Sequence, residues 1–322
     1  MITGQHPAST SVEVPGIASL AVRDLLHGPH QAGRVLAVVQ GTIIAEFPGA
    51  RREPRVIAIS APDAIRLPNA VIASIPAVTA GTAAPSDPQL TNDAKDTKAT
   101  KDARDRGRVR SATTVSTGGG AIRVGGLTVQ AHRWWDPSPV FGPLSRGRLD
   151  QGAAVLSRVC MQAIPGPSLA DHDGSRMLSS HCAAGDLASA VEQAERLVGL
   201  GAGIVPGGDG VLCGLLLALR LLGGATPGGT RAVWLADWLS AAVTSYATER
   251  TTPLAASLLH CAARGQAPAE VAAVLHGVAG EDPVEPAARR LLAARTAGAV
   301  GTADLAWGLV AGCRAAQALS VS

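Results

Sequence analysis

Gly201, Gly203, Gly207, Gly208 and Gly210 crowd into one short stretch together with Pro206 and a lone carboxylate, Asp209. An unbroken apolar run, Val211 to Leu219, follows directly. A glycine loop feeding a helix N-terminus exposes backbone N–H groups and the positive end of the helix dipole, which is a natural place for an anion. The same residues also suit a glycine-rich turn between two helices, with Asp209 capping the second. Two phosphate-binding loops are excluded. A P-loop ends in G-K-[ST], whereas Val211 and Leu212 follow Gly210. The dinucleotide fingerprint needs a preceding strand, and this loop follows an amphipathic helical pattern.

A second segment echoes the first. "GGDGVLCGLLLALR" (Gly207–Arg220) and "GTADLAWGLVAGCR" (Gly301–Arg314) align without gaps, pairing Gly207 with Gly301, Gly214 with Gly308, Leu215 with Leu309 and Arg220 with Arg314. Each reads as a polar start to a buried helix that carries glycine. The pairing predicts that Gly214 and Gly308 let the two helices approach closely, and that Thr302 and Asp304 at the second start face Asp209 at the first. "HRWWDP" offers His132, Trp134, Trp135 and Asp136 as an acid/base group or substrate wall, or as a tryptophan lid over the core. "DHDG" (Asp171 to Gly174) lacks a visible fourth ligand, so no metal and no cofactor are expected.

The elements that must position these residues divide the chain in two. Over residues 1–150 short apolar runs alternate with turn residues. "RVLAVVQGTIIAEFPG" reads as a strand hairpin turning near Gln40-Gly41; "RVIAIS", "NAVIASI" and "AIRVGGLTVQAHRWWDP" continue the strand pattern. "ASLAVRDLLHG" (Ala18 to Gly28) reads as a helix. Residues from about 82 to 111 are polar and dense in alternating charge, with too little apolar surface to offset ordering, and read as a disordered insert. Residues 151–322 are helical in pattern. "LASAVEQAERLVGLG" aligns Leu187, Val191, Ala194 and Val198, and further helices are predicted at Val211–Leu222, Ala232–Ala247, Leu254–Arg264, Ala269–Val278, Pro286–Thr296 and Thr302–Leu319. The fold class is therefore α+β, a β-rich N-terminal part followed by an all-helical C-terminal part.

Composition narrows the functions. Of 322 residues 47% are apolar, yet there are only two Phe and one Tyr, and the net charge is +3. A core of small side chains with scattered charge offers neither the basic face nor the stacking surface of a nucleic-acid binder. All three lysines, Lys95, Lys98 and Lys101, fall in the insert. Five widely spaced cysteines form no C-x-x-C pair and suit packing in a reducing compartment. No secretory pattern is legible in "MITGQHPASTSVEV", and the apolar run Val211–Leu219 is too short for a bilayer span. The expectation is a cytoplasmic protein without membrane or nucleic-acid partners.

The glycine loop resembles the G-x-G-x-G-L-T-P-S-G-D-D signature of the oxamate carbamoyltransferase H-subunit family. "TTPLAASLLHCAARG" is similar to that family's T-T-x-x-S-x-x-L-L and A-x-x-G, and "AGAVGTADLAWGL" to its G-H-x-S-G-x-D. "AEFPGARREPRVIAIS" and "WWDP" fit its N-terminal half more loosely. The resemblance implies transfer of a carbamoyl group between a ureido acid such as oxalurate and phosphate, within a multi-subunit enzyme. Such chemistry needs an anion cradle and donors for the carbonyl oxygen that gains charge in the transition state.

Departures are equally plain. Val205, Gly207 and Gly210 stand where the family has Thr, Ser and Asp; Ala255 replaces a serine, and Ala299 and Gly301 replace the His and Ser of the last motif. The glycines, Pro206, Asp209, Thr251, Thr252 and Asp304 survive, with Arg250 beside Thr251 as a carboxylate or phosphate partner or a solvated surface cation. The implied site has Asp209 and Asp304 as catalytic residues and a small anionic or ureido ligand, with partner transferase subunits or a homo-oligomer around it. A degenerate, non-catalytic subunit or binding module, and a diverged enzyme of specialised metabolism, are the alternatives.

Overall fold

A computed structural model describes residues 12–39, 41–49, 53–74, 114–163, 172–294 and 301–320. The charged insert predicted at about 82–111 lies outside them, as do the last residues of the helix predicted at Pro286–Thr296. Between residues 12 and 135 a closed barrel forms from β1 (Val12–Ser19), β2 (Gln31–Val39), β3 (Thr42–Phe47), β4 (Arg55–Ser60), β5 (Ala70–Ala73), β6 (Thr114–Gly118), β7 (Ala121–Val124) and β8 (Leu127–Trp135). Its order is β1-β5-β4-β3-β2-β6-β7-β8, and β8 closes on β1. The β1–β8 and β4–β5 pairs are parallel and the others antiparallel. Helices occupy residues 146–319, so the α+β reading holds.

Strand alternation builds two cores. Ile43, Ala45, Phe47, Ile57 and Ile59 fill the barrel, while Ile44, Val56, Ala58 and Ala70 face outward into the helical core. The β2–β3 hairpin forms as predicted, with Val39 opposite Thr42. The helix expected over Ala18–Gly28 is shorter. Ala18 and Ser19 end β1, because Ala18 is paired with Val71 on one side and Trp134 on the other. A 3₁₀ turn at Leu20–Val22 leads into α1 (Arg23–His27), whose Leu25 and Leu26 join the barrel core.

The helical part comprises α2 (Arg146–Ala163), α3 (Asp173–Ala184), α4 (Leu187–Leu197), α5 (Gly207–Ala225), α6 (Thr230–Arg250), α7 (Pro253–Ala263), α8 (Ala269–Val278), α9 (Val284–Ala293) and α10 (Thr302–Leu319). The ranges of α8 and α10 are those predicted. On α4 the buried face is centred on Ala190, Ala194 and Leu197, leaving the expected Leu187 and Val191 only half-buried. α5 begins four residues before Val211, since Gly207 to Gly210 are themselves helical. With 19 residues it is long and apolar enough to cross a bilayer, contrary to the estimate from the apolar run alone. Packing accounts for that apolarity: 78% of the span is buried inside the protein.

α5 and α10, the two segments paired by sequence, lie against each other through their glycines. A Cβ on Gly214 would stand 2.2 Å from the Leu305 carbonyl oxygen, and one on Gly308 would stand 2.1 Å from that of Val211. No real Cβ tolerates such a distance, so glycine at both positions sets how close the backbones come. Downstream, Gly312 faces Ala218 and Leu215 in the same way.

All five cysteines are buried free thiols. Burial pushes Cys160 and Cys261 up to about 11 and Cys182 and Cys313 up to about 12, and raises Cys213 as well. The thiolate is the reacting species, so at pH 8 only about one molecule in a thousand carries it at a site of pKa near 11. The native protein is expected to resist alkylation at pH 8, and to take up five labels once unfolded in guanidinium, as counted by intact mass.

Candidate functional site

Gly199, Gly201 and Gly203, the three glycines of the G-x-G-x-G pattern, all have positive φ, at 74°, 109° and 106°. Residues with a Cβ rarely adopt this left-handed backbone, so the spacing records a backbone path. The loop tip, Gly201 to Gly203, is exposed, and the chain is buried again from Val205 onward. Gly199 was not singled out from the sequence, yet it is the most constrained of the three. A Cβ there would lie 2.1 Å from the Arg250 carbonyl oxygen, where α6 ends.

Asp209 is fully buried, with 0% exposure, in the first turn of α5. It does not cap its own helix; Pro206 occupies the N-cap position, without a side-chain hydrogen bond. One carboxylate oxygen accepts the Gly199 N–H at 3.0 Å and the other accepts the Thr251 hydroxyl. The carboxylate thus ties the loop to the α6–α7 corner. Burial raises its pKa above the usual carboxylate range, opposed by the Thr251 hydroxyl and the Gly199 N–H, which favour the ion.

The α5 start is consequently a packed joint and not an open anion cradle. Gly207, Gly208 and Gly210 are buried, and a Cβ on Gly208 would be 2.1 Å from the Leu197 carbonyl oxygen. The Gly208 N–H is spent on Leu200 at 2.9 Å, and that of Gly210 on Pro206 at 3.1 Å. The α10 start does come alongside, as the internal match predicts: a Cβ on Gly210 would sit 3.4 Å from the Asp304 Cβ and from the Gly301 carbonyl oxygen. Thr302 is buried and Asp304 half-buried there. Asp209 is sealed, its oxygens going to Gly199 and Thr251. Beside Gly210, Cys213 and Leu305 lies a small cavity of about 20 Å³ with a mostly apolar lining, which offers an anion little to pair with.

The remaining predicted residues separate. Thr252 caps α7, accepting the Ala255 N–H at 3.2 Å, and donates its hydroxyl to the Ile204 carbonyl, so it joins the loop to the corner. Arg250 is exposed, donates to the Glu195 carbonyl at 3.0 Å and lies over the Tyr246 ring at 5.1 Å. Trp135 stands apart on β8, half-buried, opposite Ser19 of β1; its buried Nε1 has no hydrogen-bond partner among the described residues. In "DHDG", Asp171 lies outside the described residues. His172 caps α3, and Asp173 pairs with Arg176. No group of three or more His, Cys, Asp or Glu fit to hold a metal occurs among the described residues.

A larger space adjoins the same corner. An open cleft of about 620 Å³ runs between the β2–β3 rim and the α6–α7 junction, lined by Gly33, Arg34, Glu46 and Phe47 on the barrel side and Thr248 and Pro253 on the helical side. Arg34 and Glu46 are cross-strand partners at 2.7 Å, their side chains 72% and 22% exposed. Neither was singled out from the sequence. The hairpin alone would set Glu46 opposite Val35; a register shift between Val35 and Ala37 brings it opposite Arg34, so the pair had no signal in the sequence.

Against known proteins, no curated protein and no solved structure matches the chain. The family model described as "Oxamate carbamoyltransferase subunit AllH" matches residues 197–313, from the end of α4 into α10. That stretch holds the glycine loop, Asp209, the Thr251–Thr252 corner and most of the α5–α10 pair, and over it the chain is similar to that family.

Proposed function

We propose that the protein is a carbamoyltransferase-related subunit that takes a small ureido or anionic ligand of the oxalurate or carbamoyl phosphate type. The ligand site is the cleft between the β2–β3 rim and the α6–α7 corner. The observation that carries the reading is the Arg34–Glu46 pair in an open cleft of about 620 Å³, beside the corner that the glycine loop and Asp209 hold in place. A ureido acid presents a carboxylate next to N–H donors; the guanidinium takes the first in a bidentate contact and the carboxylate takes the second. An ion pair this exposed is worth about 0–1 kcal/mol, so exchanging it for ligand contacts costs little. Partner subunits, a reducing cytoplasmic setting and independence from metals belong to the same proposal.

One observation favours a second reading, in which the chain binds without turning over. The carboxylate surviving from the family signature, Asp209, is sealed and fully engaged. Titration calorimetry with oxalurate, carbamoyl phosphate and phosphate tests binding. Arg34→Ala is expected to weaken oxalurate at least tenfold and Glu46→Gln more modestly, with the thermal transition unchanged. No heat with any of the three ligands sinks the proposal. Binding without carbamoyl phosphate formation, with or without partner subunits, selects the second reading.

A further inference from the structure

α6 carries an outward face unlike the rest of the molecule. Trp234 and Trp238 are 51% and 52% exposed and Tyr246 is 41% exposed, in a chain holding only five Trp, one Tyr and two Phe. The indoles meet edge to face, 6.1 Å between ring centroids. Exposed aromatics clustered on one helix mark a binding face, since Trp and Tyr dominate interface energetics. The face is polarised along its length. Its N-terminal half presents Arg231 and the two tryptophans; its C-terminal half presents the small residues Ala241 and Ser245, then Tyr246 and Glu249. Among the described residues neither Arg231 nor Glu249 forms an ion pair.

We propose that this face is the two-fold interface of a homodimer, with α6 packed antiparallel against the α6 of a second copy about an axis that passes outside the helix at the level of Ser240, itself buried on the inner side. Residues equidistant from Ser240 then meet. Trp238 lies over the partner's Ala242, and Arg231 reaches the partner's Glu249. Each contact occurs twice, as an isologous interface requires. Large side chains oppose small ones at the centre, and opposite charges close both ends, roughly 27 Å apart at 1.5 Å per residue. A parallel pairing does the reverse, stacking indole on indole and setting Arg231 against Arg231 and Glu249 against Glu249. Asp237, the remaining acid on this face, is already held by Arg220.

Charge reversal tests the register. Sedimentation velocity of the full chain at about 1–100 μM is expected to show a dimer. Arg231→Glu and Glu249→Arg should each weaken it at least tenfold, and the double variant Arg231→Glu/Glu249→Arg should restore it, since the partners are swapped together. Trp238→Asp should give a monomer whose thermal transition matches that of the wild-type chain diluted below its dimer dissociation constant. A wild-type chain that stays monomeric at 100 μM overturns the proposal. So does a dimer that ignores both single reversals, or one that the double variant fails to rescue.

Discussion

Gly308→Ala is expected to cost roughly 3 kcal/mol, although alanine is worth about 1 kcal/mol more than glycine inside an isolated helix. The new methyl would stand 2.1 Å from the Val211 carbonyl oxygen, and backbone cannot step aside as a side chain can. The helices must separate by an ångström or more, loosening Leu212, Leu215 and Leu309 around them. Gly214→Ala should behave alike, because its clash is with the Leu305 carbonyl oxygen at 2.2 Å. Gly224, exposed in the last turn of α5, has as its nearest obstacle a Val233 methyl at an ordinary 3.7 Å. Gly224→Ala should therefore raise stability by about 0.5–1 kcal/mol. Urea unfolding of the three variants checks the contrast. Equal effects at Gly308 and Gly224 would mean the helices are not in contact.

Asp209→Ala is expected to cost about 3 kcal/mol, since it strands the Gly199 N–H and the Thr251 hydroxyl in a buried joint. Asp209→Asn should fold within about 1 kcal/mol of the parent. Its amide oxygen can accept from Gly199, and its amino group can donate to Thr251, whose hydroxyl has a free lone pair. If Asp209 were a catalytic carboxylate the asparagine variant would lose activity without losing stability; as a tie it keeps ligand binding. The pH dependence separates the two variants further. A carboxyl whose folded pKa is raised holds its proton more tightly when folded, so its stabilisation is present in acid. That contribution falls as pH rises from the ordinary carboxylate value to the raised one. The Asn variant should lack this fall when unfolding is followed from pH 3 to pH 7.

Some of this was legible in the residues. The Gly207–Arg220 and Gly301–Arg314 match foretold the α5–α10 contact, because helix-spaced glycine has few uses other than close approach. The β2–β3 hairpin and the ranges of α8 and α10 followed from periodicity and stop signals. β1 and β6 were not resolved as separate strands. Pro15 and Gly16 interrupt the alternation of β1, and "TVSTG" at Thr114–Gly118 carries a single bulky apolar residue. What the glycine loop does was not legible in the residues, for a physical reason. Glycines beside a carboxylate look the same in sequence whether they open a backbone to a ligand or admit a neighbouring carbonyl, and only the packing at Leu197 and Arg250 decides. Arg34 and Glu46 were passed over because only the register shift in β2 sets them opposite each other.

Closure of the barrel by the parallel β1–β8 pair carries a consequence for biogenesis. β1 at Val12–Ser19 finds its last partner only in Leu127–Trp135. At the ribosome's pace of about 5–20 residues per second, the first strand waits roughly 6–25 s before its seam can form. Through that interval one flank of β1 is an unpaired template, the very hazard that the finished cylinder abolishes. Nascent-chain protection by a chaperone that covers strands should therefore matter up to the emergence of β8 and fade after it. Slowing translation before that codon should raise aggregation more than slowing it afterwards.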